Sequence, residues 1–296
     1  MDVEVLIPPG WSDYELIDSG GGRKLERFGK YVLDRPEPEA IWYPKLAPAR
    51  WERADAVFEQ GEDGREGWVE ADRPYRPVLD ERWRMRHDDL RFWVRLTPFR
   101  HTGVFPEQAV HWRWIKKQIQ NASRPIAMLD LFGYTGLATL AAASAGATVT
   151  YLDASKQAMA WARENQAESG LAERPIRWIL DDAIKFVRRE ARRGARYDAI
   201  VMDPPVFGRG ARGELWRFQT GFPLLIEACR EVLSDQPLFV LINAYAIDHS
   251  SIMLGNVLAD LMAPFGGTTT VGELALVESG ARRYLSTGIF ARWSGR

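Results

Sequence analysis

Acidic residues close four successive apolar runs in this chain. Asp130 sits in PIAMLDLFGYTG, Asp153 in TVTYLDAS, Asp181 and Asp182 in RWILDDAI, and Asp203 in VMDPPVFG. A single acid after a strand is most simply a helix cap. Four along one edge of a parallel sheet form a row of acceptors where such sheets bind their ligands, beyond the carboxyl ends of the strands. The first acid runs into a glycine turn, Phe132-Gly133-Tyr134-Thr135-Gly136, and then an alanine-rich helix. Glycine lets the backbone approach a ligand, and a helix N-terminus offers unpaired N–H groups. The dinucleotide pattern G-x-G-x-x-G is incomplete here, with only Gly133 and Gly136 present. With an acid beside it, the turn suits a cationic, phosphate-free ligand better than a pyrophosphate. Asp153 is placed to accept from a ribose diol, and Asp182 both to cap the next helix and to meet an amino group.

The last acid is followed by two prolines, Pro204 and Pro205, and by Phe207. Proline has no N–H, so the Asp203 carboxylate and the neighbouring carbonyls are acceptors only. They suit a nitrogen acceptor whose lone pair must face an electrophile, and Phe207 suits stacking on a planar ring.

These acids need alternating strands and helices behind them. Strands are expected over 126–131, 148–152, 176–180, 199–202 and 238–242. Helices are expected over 137–145, 156–169, 182–193 and 214–233. A helix over 250–262 and a turn-joined pair of strands, 269–277 and 284–293, complete the run. Continuous apolar strands joined by helices mean a parallel sheet covered on both faces, and the terminal pair implies one antiparallel strand. Residues 1–96 read differently. YELIDSGGGRKLERFG, YVLDRPEPEAIW and LRFWVRLTP form short antiparallel strands, with Gly20-Gly21-Gly22 as a turn. Arg82, Arg84 and Arg86 interleave with aromatic residues there. Packing of the tryptophans into a small core is preferred over a base-stacking platform. Residues 97–112 join the two parts, and a helix opens at Pro106-Glu107-Gln108.

The formal net charge of −1 gives no whole-chain argument for nucleic acid. One cysteine permits no internal disulfide, and four histidines lack metal-ligand spacing, so no metal site is expected. No stretch is long enough to span a membrane, and MDVEVLIPPGW carries no signal pattern, so a cytoplasmic protein is expected. Homo-oligomerisation stays open.

LDLFGYTG, YLDAS, DDA and MDPPVFG together resemble a class I S-adenosylmethionine-dependent methyltransferase. The branch they resemble modifies cytosine C5 or guanine N7 of large-subunit ribosomal RNA. HTGVFPEQ is similar to that branch's H-x-T-G-x-F-x-D-Q segment, and the likeness covers residues 97–293. The resemblance implies a Rossmann-like sheet of seven strands, mostly parallel with one antiparallel, in a domain spanning 97–296 behind a β-rich N-terminal domain of 1–96. It implies S-adenosylmethionine as cofactor and an RNA substrate. Asp130, Phe132, Gly133, Tyr134, Thr135 and Gly136 would line the methionine moiety. Asp153 and Ala154 would hold the ribose, and Asp181, Asp182 and Ala183 the adenine. Thr102, Phe105 and Gln108 would pack near the donor, and Asp203 with Pro204 would face the acceptor. One departure bears on the chemistry. Cytosine C5 methylation needs a thiolate after the fifth strand, where this chain has Asn243 and Ala244. Cys229 lies in an amphipathic helix as a core residue. A base nitrogen is therefore the expected acceptor, with Asn243 on a base edge. Methylation of a protein or small molecule is the alternative, and an inert RNA- or partner-binding module is the reading from another class. Arg209, Arg212 and Arg217 follow the acceptor motif and are placed to meet phosphates.

Overall fold

The computed structural model describes residues 2–60, 66–70 and 79–295. β1 (Asp2–Leu6) opens the chain. There follow β2 (Tyr14–Gly20), β3 (Arg23–Phe28), β4 (Tyr31–Pro36), the short α1 (Pro48–Trp51), β5 (Ala56–Gln60), β6 (Glu66–Glu70), β7 (Trp83–His87) and β8 (Leu90–Val94). Then come α2 (Ala109–Asn121), β9 (Ala127–Leu131), α3 (Leu137–Ser144), β10 (Thr148–Asp153), α4 (Lys156–Glu168), β11 (Ile176–Leu180), α5 (Ala183–Arg192) and β12 (Ala199–Met202). β13 (Phe207–Arg209), β14 (Leu215–Arg217), α6 (Phe218–Arg230), β15 (Phe239–Ala244), α7 (Ser251–Met262), β16 (Thr268–Val277) and β17 (Tyr284–Ser294) complete it.

The contacts separate two compact units. The first comprises Met1–Leu6, Val110–Leu274 and Gly288–Arg296; the second comprises Ile7–Ala109 and Ala275–Thr287. This division differs from a single cut at 96/97. β1 belongs with the large sheet because it pairs in parallel with β16. Residues 97–109 and the far ends of β16 and β17 belong with the β-rich unit. Arg283 explains part of that: its guanidinium pairs with Glu278 at 2.8 Å and with Asp18 at 3.1 Å.

The first unit is a sheet in the order β1-β16-β17-β15-β12-β9-β10-β11. β9 to β12 and β15 run parallel, and β17 is antiparallel to β15. These are the seven expected strands, with the antiparallel one in place, and β1 adds an eighth at the edge. All four residues of β12 and all six of β15 are buried, as continuous apolar runs require. Cys229, on the buried face of α6, lies fully enclosed in the core that packs on the sheet. The expected helix over 214–233 begins only at Phe218. Leu215–Arg217 is instead the second strand of a hairpin with Phe207–Arg209.

The second unit holds a five-stranded sheet, β2-β3-β4-β5-β6, and the separate β7–β8 hairpin. Gly21 and Gly22 make the β2–β3 turn with φ of 62° and 76°. Most of the tryptophan indoles take packing roles. Trp83 is buried, Trp42 donates to the Ser19 carbonyl, and Trp51 donates to Asp18. Trp93 differs, with the Arg82 and Arg84 guanidinium groups 4.3 and 5.0 Å from its ring centre.

Candidate functional site

The acids reach a common edge through the sheet's own register. Asp130 pairs with Tyr151 across β9 and β10, and with Val201 across β9 and β12. The Asp203 N–H donates to the Leu131 carbonyl at 3.3 Å, and the Asp181 N–H to the Asp153 carbonyl at 3.2 Å. All four strands therefore end together.

The glycine turn is fastened to the neighbouring strand. Gly133 donates to the Leu152 carbonyl at 3.0 Å, and the Tyr134 N–H donates to Asp153 Oδ2 at 2.9 Å. The Tyr151 hydroxyl donates to the Tyr134 carbonyl at 2.6 Å, and Asn165 Nδ2 to the Thr135 carbonyl at 2.9 Å. A Cβ at Gly133 would stand 2.4 Å from the Tyr151 ring, so only glycine fits. Phe132 and Tyr134 sit at φ of 60° and 47°. Bulky residues avoid that region, and two of them on either side of a glycine mark stored backbone strain, a feature that concentrates at functional sites.

Asp130 is buried, and the Thr139 hydroxyl donates to its Oδ2 at 2.5 Å. Burial pushes its carboxyl up to about 7; Thr139 opposes this, and the charges of Asp203 and Asp153 add to it. Asp153 is raised too, again chiefly by burial, although it accepts from the N–H groups of Ser155 at 2.7 Å and Tyr134 at 2.9 Å. Neither Asp130 nor Asp153 has a basic side chain within ion-pair distance among the described residues. No group of three or more His, Cys, Asp or Glu among the described residues is arranged to hold a metal ion. At Asp130 and Asp153 the edge thus holds carboxyl groups in a poorly solvated place without a protein cation. Such a place fits a cationic ligand.

The adjoining acids divide their work. Asp182 caps α5 through its Oδ1, which accepts from the Lys185 N–H at 2.9 Å. Asp181 is tied to Arg189 at 2.8 Å and accepts from the Asp182 N–H. Ala154 and Ala183 follow the second and third strands directly, and Ala183 is buried. After Asp203, Pro204 is buried and Pro205 is exposed. The Pro205 carbonyl is already taken by the Trp216 indole N–H at 2.6 Å. The Asp203 carboxylate and the Pro204 carbonyl are the other acceptors of this motif. Asn243 is the second-last residue of β15. It is 1% exposed, and its Oδ1 makes no well-aligned hydrogen bond with a described residue. It lies beside buried His111, whose basicity is pushed down to about 3 by burial and by the charge of Arg292, while the Asn243 side chain acts in the opposite direction. Buried amides are normally paired, so the open Asn243 oxygen is a candidate contact point. Phe207 stands on β13 and is exposed. Thr102, Phe105 and Gln108 belong to the second unit, where Thr102 is buried and Gln108 ends the turn that leads into α2.

Sequence reading missed Thr139, Tyr151, Asn165 and Trp216. Tyr151 carried a signal, being a hydroxyl-tipped residue inside an apolar strand. Trp216 carried none, because an expected helix concealed its hairpin.

A family model for S-adenosylmethionine-dependent methyltransferases matches residues 73–250. The chain belongs to that family. S-adenosylmethionine is accordingly its cofactor. This methyltransferase is 45% identical to a structure described as the SAM dependent methyltransferase from Agrobacterium tumefaciens, at a TM-score of 0.93, covering 99% of this chain and 94% of that one. A Streptococcus mutans chain at 16% identity shares the fold, with a TM-score of 0.71 over 96% of this chain and 76% of its own. Among curated proteins, ribosomal RNA large subunit methyltransferase K/L of Shewanella sp. (strain ANA-3) is 34% identical over 126 residues, or 42% of this chain and 17% of that protein. The protein of the same name from Methylococcus capsulatus is 35% identical over 123 residues, or 41% and 16%. The methyltransferase thus matches only about a sixth of the length of these curated relatives. Among the described residues, no helix is long and apolar enough to cross a membrane.

Proposed function

We propose that this methyltransferase modifies a nitrogen of an RNA base, with ribosomal RNA as the substrate class. The observation that carries the donor site is the cation-free pair at the glycine turn, buried Asp130 and half-buried Asp153. S-adenosylmethionine, when bound, supplies an electrophilic methyl group on a sulfonium and leaves as the neutral thioether. Asp130 offsets the positive charge of the methionine end, with Phe132, Gly133, Tyr134, Thr135 and Gly136 enclosing it. Asp153, beside Ala154, accepts from the ribose diol. Asp182, with Ala183, accepts from the adenine amino group, while Asp181 is held by Arg189.

The acceptor side follows from Asp203-Pro204. With no N–H at Pro204 or Pro205, the motif draws the hydrogens of an amino or ring nitrogen and leaves its lone pair free for attack. A new N–C bond forms, and the nitrogen's proton passes toward the Asp203 carboxylate. Phe207 lies next to this motif for ring contact, and Asn243 Oδ1 accepts from the base edge. Nitrogen is favoured over C5 of cytosine by Cys229. Its thiol is fully enclosed and pushed up to about 12 by burial, so it supplies no thiolate nucleophile. The RNA assignment draws support from the ribosomal RNA methyltransferases it resembles over 126 residues. The near-neutral charge favours a second reading, a protein or small-molecule acceptor.

The test is transfer of label from tritiated S-adenosylmethionine to RNA, ribosomal subunits and protein extract from cells lacking the gene. Label in one ribosomal RNA nucleoside, digested to a methylated nitrogen, is the expected result. Label confined to protein or small molecules would replace this reading with the second. Asp203→Ala should keep donor binding and lose transfer.

A further inference from the structure

The hairpin β13–β14 is where sequence and structure part, and its two faces differ. On one face Trp216 is buried, with its ring 5.0 Å from that of Phe132 in the glycine turn. Its indole holds Pro205, and Gly221 of α6 lies directly against it, where a Cβ would meet the indole at 2.8 Å. At the tip, Glu214 pairs with Lys185 of α5 at 2.7 Å and accepts from the Arg212 N–H at 2.9 Å. The Gly210 backbone passes the Asp182 carboxylate, with 3.2 Å between a built Cβ and Oδ2. A free two-stranded ribbon is marginal in water. This one is clamped at both ends, from the acceptor motif to the cap of α5.

The opposite face is exposed. Phe207 stands opposite Arg217, and Arg209 opposite Leu215. Residues paired across an antiparallel ladder share a face, as do alternate residues of one strand. Phe207 and Leu215 are 56% and 57% exposed, and both arginines are exposed. Neither Arg209 nor Arg217 forms an ion pair with a described residue. Arg209, Arg212 and Arg217 place three guanidinium groups within nine residues, and the one carboxylate among them, Glu214, is committed to Lys185. A face that alternates flat or aliphatic groups with guanidinium groups matches bases and phosphates that alternate along an unpaired strand.

We infer that the outer face of this hairpin holds the unpaired RNA strand flanking the target nucleotide, with Phe207 and Leu215 against bases and Arg209 and Arg217 on phosphates. The inference rests on the RNA reading above and assigns that reading a surface. The strand that carries the acceptor motif leads straight into the hairpin, so a base held at Asp203 has its neighbours at this face.

The test uses the full chain, a fluorescein-labelled unpaired RNA oligonucleotide of mixed sequence, and the same sequence as a duplex. Two paired variants are compared, Phe207→Ala with Leu215→Ala, and Arg209→Ala with Arg217→Ala. Each is expected to weaken binding of the unpaired RNA about tenfold while S-adenosylmethionine affinity stays at the wild-type value. The arginine variant should also reduce the slope of log affinity against log salt by about 1.4, as two lost phosphate contacts on a single strand require. Wild-type RNA affinity in both variants overturns the hairpin assignment and leaves the RNA reading standing. A wild-type chain that binds S-adenosylmethionine but neither RNA defeats the RNA reading and the hairpin with it. Stronger binding of the duplex overturns the unpaired-strand assignment. Photocrosslinks from the RNA should fall within 207–217, and crosslinks found only elsewhere in the chain overturn it independently of any variant.

Discussion

In the β-rich unit, Glu26 is fully enclosed, and its carboxylate takes Arg35 at 2.7 Å and the Tyr14 hydroxyl at 2.7 Å. Burial alone raises its pKa, but the charges of Arg35 and Lys24 outweigh that and leave it below the ordinary value. Asp18 and Glu278 share Arg283 in the same unit. In the methyltransferase unit, Asp130 is equally enclosed but has a hydroxyl for company, and its pKa rises. A carboxylate with its own guanidinium is finished structure. A carboxylate buried without one, as at Asp130, is the kind of group that we propose meets a charge arriving with a ligand.

The largest effect that tests this contrast comes from removing a built-in partner. Arg35→Ala leaves Glu26 enclosed and unpaired, which should cost about 3–5 kcal/mol of stability, read from urea midpoints. A loss below about 1 kcal/mol would mean that water reaches Glu26 and that the contrast is weaker than drawn.

Asp130→Asn should behave in the opposite way. The amide keeps the shape and can still accept from Thr139, so stability at pH 8 should hold or rise. Donor affinity should fall about tenfold to hundredfold, matching about 1.5–3 kcal/mol for a hydrogen bond to a charged group. If the variant lost as much stability as Arg35→Ala and kept its donor affinity, Asp130 would be structural.

The two carboxyl groups also give pH dependences of opposite sign. Asp130 has a raised folded pKa, so between its unfolded value of 3.8 and about 7 the native state binds more protons than the unfolded one. Its contribution to stability is full at the acid end of that window and is lost as pH rises through about 7. Glu26, with a lowered folded pKa, contributes above the unfolded value of 4.5 and loses that contribution as pH falls below it. Donor affinity should climb as pH rises from 6 to 8, since a cationic ligand needs ionised Asp130. Binding measured over that range should flatten in Asp130→Asn. A wild-type profile equally flat would remove Asp130 from contact with the donor's charge.

The smallest effect is expected at Cys229, a buried ionisable group that stays neutral. Cys229→Ala should cost about 1 kcal/mol and leave methyl transfer at its original rate. Loss of transfer with the fold intact would revive a cysteine nucleophile.

The sequence alone determined the alternating strands and helices, the acids that close them, the Asp182 cap and the core position of Cys229. Each of these depends on periodicity or on neighbours a few residues away, which local reading detects. The Phe207–Arg217 hairpin escaped because strands of three residues have no apolar period of their own. Glu214 and Leu215 also continue smoothly into the helical pattern of α6. β1 escaped because its partner, β16, is formed by residues near the other end of the chain. The pairing of Arg283 with Asp18 likewise spans 265 positions. Only the folded chain decided which acids received a cation and which did not. Whether a buried charge is paired depends on what tertiary packing brings beside it, and an Asp at the end of a strand reads the same in either case.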